Sequence, residues 1–226
     1  MSTIAIDGPA ASGKTTLAQN LAEDLNYMFF DTGVMYRAVT FAILKKGVSI
    51  NDESICASVA ESTRIDVQTA SEDDGRVNDI LIDGEDATWA IRQPDVDANV
   101  SIVAAYPGVR QALTKQQRRI GLQGNVVMVG RDIGTVVMPD ANLKIYLDAT
   151  VKERARRRYD ECIQRGEEVS YLSVLKSMRI RDEIDSNREV APLRPAQDAH
   201  MISSDGKDIQ EVFEIVKNLV TMELGV

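Results

Sequence analysis

The sequence predicts an α/β fold, a parallel β-sheet flanked by helices with a small antiparallel insertion. Three observations carry that prediction. Short apolar runs of strand type alternate with amphipathic segments of helical period along most of the 226 residues. One run, "NVVMVG", is apolar on both faces, as a central parallel strand must be. From about residue 65 to residue 91 the pattern changes to short alternating stretches broken by Asp-Gly pairs, which marks the antiparallel excursion.

In chain order, Thr3–Asp7 reads as the first strand, and the glycine-rich stretch "GPAASGKT" follows it. A helix then runs through Leu25, with Leu17, Leu21 and Leu25 beside Ala18 and Ala22 on one stripe. "YMFFD" is a second strand, and the helix after it carries Met35, Val39 and Ile43 on one face and Gly47 as its cap. "IDVQT", "GRVNDILIDG" and "WAI" are the expected strands of the excursion, with Trp89 as a packing residue. Helical segments at 100–105 and 107–121 come next, Pro107 suiting a helix start. "NVVMVG", "LKIYLD" and "HMISS" are the remaining strands. The last helix is amphipathic through Ile209, Val212, Phe213, Val216, Leu219 and Val220.

Composition narrows the function. Hydrophobic residues make up 44%, enough for a packed core, and the formal net charge of −9 speaks against a nucleic-acid binder. Cys56 and Cys162 are far apart, with no CxxC pattern, and read as reduced thiols of a cytosolic protein. With His200 the only histidine, expected to pack, a His/Cys metal centre or Cys-His dyad has little to build on. No basic leader and no run of about eighteen apolar residues is present, so neither secretion nor a membrane span is expected. No exposed apolar stripe stands out, which makes a cytoplasmic monomer the expectation.

"GPAASGKT", Gly8 to Thr15, fits G-x-x-x-x-G-K-[ST], lying between a strand and a helix as a phosphate-binding P-loop requires. Its glycines let backbone N–H groups turn toward phosphate oxygens, and the helix N-terminus adds a favourable dipole. Gly8, Pro9, Ala10, Ala11, Ser12, Gly13, Lys14, Thr15 and Thr16 are therefore the candidate ATP-binding residues. Lys14 should reach the β- and γ-phosphates, and the Thr15 hydroxyl should touch the Mg²⁺ that arrives with the nucleotide. No N-K-x-D guanine reader is present, so a GTPase is disfavoured. A compact P-loop chain with several isolated arginines points to a small-molecule or nucleotide kinase. Transfer to a phosphate acceptor needs no general base; the barrier is repulsion between two polyanions, about 4 kcal/mol for unit charges 4 Å apart at an effective dielectric near 20. Guanidinium groups remove it.

Together with the P-loop, "DTGVMYRAVT", "VSIVAAYPGVRQAL", "GRDIGTVVMPDANLKIYLDA", "ERARRRYDE" and "RDEIDSNREVAPL" resemble the bacterial cytidylate kinase family, over nearly the whole chain. "GRDIGTVVxPDA" and "RDxxDxxRxxAPL" are its most specific parts; Val34 and Met138 stand where the family usually has Ala and Phe. The resemblance implies a P-loop NTPase-type kinase domain spanning 1–226, an NMP-binding insertion at about 50–98 and an Arg-rich helical lid at about 152–172. It implies transfer of the γ-phosphoryl group of ATP to CMP or dCMP. A non-catalytic nucleotide-binding module, or a kinase for UMP or shikimate, are the alternatives.

Carried onto these positions, Arg37 and Arg131 would meet the acceptor phosphate, with Thr32 and Tyr36 in the same set. Ser101, Arg110, Asp132 and Arg188 would read cytosine, and Arg181 and Asp185 the ribose. Cytosine's exocyclic amine can donate to Asp132, whereas uracil would leave that carboxylate unpaired, at a cost of about 1–3 kcal/mol. Arg181, Asp185 and Arg188 are spaced to share one helical face. In "VKERARRR", Arg154 and Arg158 are the expected lid contacts to ATP phosphates, although Glu153, Asp160 and Glu161 could neutralise an ordinary exposed helix. Lys14, Arg131, Arg154, Arg158 and Arg188 form the expected catalytic set.

Overall fold

A computed structural model describes residues 2–225. Its strands are β1 (Thr3–Asp7), β2 (Met28–Asp31), β3 (Ile65–Thr69), β4 (Asn78–Ile82), β5 (Glu85–Asp86), β6 (Val126–Gly130), β7 (Leu143–Asp148) and β8 (His200–Ser203). Its α-helices are α1 (Lys14–Leu25), α2 (Gly33–Lys45), α3 (Glu53–Ser62), α4 (Pro94–Val103), α5 (Pro107–Gly121), α6 (Val151–Gln164), α7 (Tyr171–Asn187) and α8 (Ile209–Leu224). The chain falls into two compact units, Met1–Phe29 with Gln123–Val226, and Phe30–Leu122.

The first unit is built on a sheet of order β2-β6-β1-β7-β8. β1 pairs parallel with β6 and β7, and β7 pairs parallel with β8. All five residues of β1 are buried, as the central position demands. Ile4, Ile6, Val127, Val129, Ile145 and Leu147 meet Leu17 and Leu21 of α1 and Val212, Val216 and Val220 of α8 in one core. The apolar stripes read from the sequence are the faces that pack here. A second cluster joins Ala155 of α6 to Val174 and Met178 of α7.

The second unit holds the antiparallel sheet β3-β4-β5, with α2 packed on α4 and α3 on α5. Two details differ from expectation. "WAI" is not a strand; Ala90–Arg92 forms a 3-10 turn, and β5 lies earlier, at Glu85–Asp86. Trp89 is half-exposed rather than packed: its Nε1–H donates to Asp74 at 2.8 Å, and Arg92 lies over its ring. Asp74 belongs to a group gathered on Arg76, whose guanidinium also meets Asp79 and Asp86. Among the described residues no helix is long and apolar enough to cross a membrane.

Candidate active site

The phosphate loop leaves β1 at Gly8, where the backbone takes a φ of +147° and a Cβ would run into the Leu147 carbonyl oxygen. Gly13, at φ +94°, turns the chain into α1. Lys14 is buried, its Nζ donating to the Pro9 carbonyl at 2.5 Å and to Ser12 Oγ at 3.3 Å. The ammonium thus lies across the loop's own backbone, while Thr15 and Thr16 are exposed in the first helical turn. A hydroxyl at a helix start is a hard oxygen donor of the kind Mg²⁺ accepts when phosphates supply the other ligands. Among the described residues no group of three or more His, Cys, Asp or Glu side chains is placed to hold a metal by itself.

Beside that loop, "GRDIGTVV" leaves β6 and winds into a π-type turn at Ile133–Val137. Asp132, at its start, is buried. Arg131 Nε donates to Asp185 Oδ2 at 3.0 Å, and Arg188 approaches both Asp132 Oδ1 at 3.6 Å and Asp185 Oδ1 at 3.7 Å. Two arginines and two carboxylates, from two distant sequence segments, therefore form one balanced cluster. Arg188 caps α7 rather than lying within it, and it still reaches Asp185 as its spacing suggests. The helix ends at Asn187, Arg188 is extended, and its Nε donates to the Ala191 carbonyl at 2.5 Å. Ala191, at a φ of +53°, lies past the end of α7 and precedes Pro192. Arg181 lies one turn before Asp185 and is exposed.

Arg154 is the buried arginine of α6. Its guanidinium makes a two-point pair with Asp182 and donates to the carbonyls of Ala149 and Ala10. Arg158 is half-exposed and paired with Glu161 at 3.1 Å, and Arg156 is paired with Glu153, so part of this helix is the solvated surface that its acids allow. Arg157 shares a helical face with Arg154 and Arg158 by its spacing but was not among the expected phosphate contacts: it donates to Ser204 Oγ and O, and Ser204 Oγ donates to the Ser12 carbonyl of the phosphate loop. Asp182, whose place in a charge-dense stretch reads as a solvated carboxylate, is instead the partner of Arg154. Asp7 was missed; a lone carboxylate ending an all-buried strand was the available signal for it.

In the second unit, Thr32 precedes α2 and is buried. Arg110 lies over the Tyr36 ring, 5.2 Å from its centroid, and its Nη1 donates to the Ala104 carbonyl. Arg37 is turned toward α4, where Asp97 accepts at 2.6 Å, and Ser101 follows one turn later on the same helix. The unit therefore joins Tyr36 with Arg110, and Arg37 with the helix that carries Ser101.

The cytidylate kinase family model matches residues 4–222. A cytidylate kinase of Herpetosiphon aurantiacus is 47% identical over 98% of this chain and 95% of its own length. The cytidylate kinase of Bacillus subtilis is 44% identical, with 96% of each chain covered. The crystal structure of an uncharacterized protein from Eubacterium ventriosum shares the fold, at 12% identity and a TM-score of 0.50 over 98% of each chain. With a match that takes in both the phosphate loop and the Arg131–Asp132–Asp185–Arg188 cluster, this chain belongs to the cytidylate kinase family.

Proposed function

We propose that this protein transfers the γ-phosphoryl group of ATP to CMP or dCMP, giving ADP and CDP or dCDP. The observation that carries the reading is the pairing, within the first unit, of a P-loop with a partly buried cluster of two arginines and two carboxylates. The phosphate loop, residues 8–16, would bind the ATP phosphates, with Lys14 moving from Pro9 and Ser12 to the β- and γ-oxygens. Mg²⁺ entering with ATP would neutralise phosphate charge, and Thr15 is the side chain that would hold it. Asp132 would accept from the cytosine amine and Arg188 would donate to the base, while Arg131 would meet the acceptor phosphate. Asp185 and Arg181 would face the ribose. Thr32, Tyr36, Arg37, Ser101 and Arg110 are proposed acceptor residues of the second unit, in which the 50–98 stretch lies. The 152–172 segment, with Arg154 and Arg158, would close over ATP and exclude water, the competing acceptor. A cytosolic monomer is the proposed working form.

The test is ADP release measured with CMP, dCMP, UMP, AMP and shikimate as acceptors. CMP and dCMP should give the highest kcat/KM. A better acceptor among the other three overturns the substrate assignment, and ATP binding without turnover on any acceptor would make the protein a binding module.

A further inference from the structure

Asp7 has none of the roles above, yet it is among the most tightly engaged side chains of the first unit. It ends β1, immediately precedes the phosphate loop, and is only 4% exposed. A carboxylate that far from water needs hydrogen bonds to both oxygens. Both come from one loop: the Ile133 N–H donates to Oδ1 and the Gly134 N–H to Oδ2, each at 2.7 Å. The two residues before these donors are Arg131 and Asp132. The other side of Asp132 is also fixed, because its carbonyl accepts from the Val136 and Val137 N–H groups at 2.9 and 3.1 Å. The approach is close: a Cβ at Gly134 would lie 3.2 Å from Lys144 Cδ, tighter than ordinary contact, and 3.4 Å from Asp7 Oδ2.

We propose that Asp7 is a positioning residue for acceptor recognition: by clamping the Ile133–Gly134 backbone it sets where Asp132 stands, and it ties that setting to the loop that begins at Gly8. The proposal rests on Asp132 reading the base as described above. Asp7 faces Asp132 from the clamped loop, Lys14 from α1, and Lys144 and Tyr146 from β7. Burial, with the nearby Asp132 charge, pushes its pKa up to about 6 against the two N–H donors and Lys14. Above that pH both oxygens accept; below it, one oxygen carries a proton and the clamp loosens.

The experiment is a double-mutant cycle on full-length protein, with kcat/KM for CMP and KM for ATP measured for wild type, Asp7→Asn, Asp132→Ala and the double variant. Asp7→Asn keeps one acceptor and turns an amide N–H₂ toward the other N–H. It should lower kcat/KM for CMP about tenfold, while KM for ATP stays within about twofold. In the Asp132→Ala background the same change should cost less than about threefold, because a residue acting through Asp132 has little left to act on. Wild type should also show an acidic limb near pH 6 in kcat/KM for CMP that Asp7→Asn lacks. The comparison between proteins removes the CMP phosphate, which titrates in the same range. If Asp132→Ala lowers CMP use and Asp7→Asn does not, or if the two losses multiply in full, the positioning role is wrong. If Asp132→Ala leaves CMP use intact, the base-reading assignment falls and takes this proposal with it. Should Asp7→Asn fail to fold, Gly134→Ala, which crowds the same clamp, is expected to lose CMP use selectively; equal loss toward ATP overturns the proposal.

Discussion

Arg154 and Asp182 meet across α6 and α7 in a two-point ion pair, Nη1 to Oδ1 at 3.0 Å and Nη2 to Oδ2 at 2.6 Å. The same Nη1 donates to the Ala10 carbonyl at 3.1 Å, so the guanidinium touches the phosphate loop while its charge is balanced on α7. Asp182→Ala leaves a 4% exposed arginine without that carboxylate. Breaking such a pair costs about 3 kcal/mol, less than full burial would give because Asp182 is partly solvated, and about 2–4 °C of Tm per kcal/mol is typical at this size. The variant should therefore melt several degrees below wild type. Saturating ATP should raise its Tm more than it raises wild type's, since the phosphates replace the lost carboxylate. Scanning fluorimetry with and without ATP reads both effects, and an unchanged Tm contradicts the first.

Asp7 gives a pH dependence of stability with a definite sign. Its folded pKa of about 6 lies above the ordinary 3.8. Between those values the folded state binds more protons than the unfolded chain, so raising the pH through this window lowers stability. The full penalty, on the order of 3 kcal/mol, is reached above about pH 6. Denaturant unfolding of wild type and Asp7→Asn at several pH values should show their stability difference shifting toward the variant between pH 4 and pH 6. A pH-independent difference would contradict the buried carboxylate as the cause.

Arg181 and Asp185 are both proposed ribose contacts, and Arg181 is the one whose replacement leaves the Arg131–Asp185–Arg188 pairs in place. Asp185 also holds Arg131 and Arg188, so its removal disturbs the whole cluster. Arg181 is exposed one turn away. Arg181→Met should change the ratio of CMP to dCMP turnover by about threefold or more, the scale of one hydrogen bond to a hydroxyl, with Tm within a degree or two. An unchanged ratio in a two-substrate competition assay removes Arg181 from the ribose.

Two glycines with positive φ should respond very differently to alanine. At Gly8 the new Cβ meets the Leu147 carbonyl oxygen, whereas at Gly206, φ +67°, nothing lies within 4 Å. Gly206→Ala should cost about 1 kcal/mol of backbone strain. Gly8→Ala must also displace a sheet carbonyl at the mouth of the phosphate loop, and should lose both stability and ATP binding. Equal Tm shifts in the pair would contradict the steric account.

What the sequence revealed was local. The phosphate loop, β1, β6, β7 and the stripes of α1 and α8 are periodic patterns or short motifs, and those patterns are the packed faces. Helix α3 was passed over because its ten residues lie beside alternating segments, although Asp52 capping the Ile55 N–H was a readable start. Long-range partners left no local mark: Arg154 with Asp182, Asp7 with Gly134, and Arg157 with Ser204 are brought together only by the sheet and the α6–α7 pair. The legible spacing of Asp185 and Arg188 does bring the two together, although the helix stops one residue before Arg188.

Trp89 is the chain's single tryptophan, and it is fixed by Asp74 and Arg92 in the second unit. Its emission therefore speaks for residues 30–122, while far-ultraviolet circular dichroism weighs the helices of both units. Superimposable denaturation curves from the two signals would mean that the chain melts as one cooperative block. A gap between them would show that one unit can come apart while the other persists, and the native fluorophore makes that distinction visible without any label.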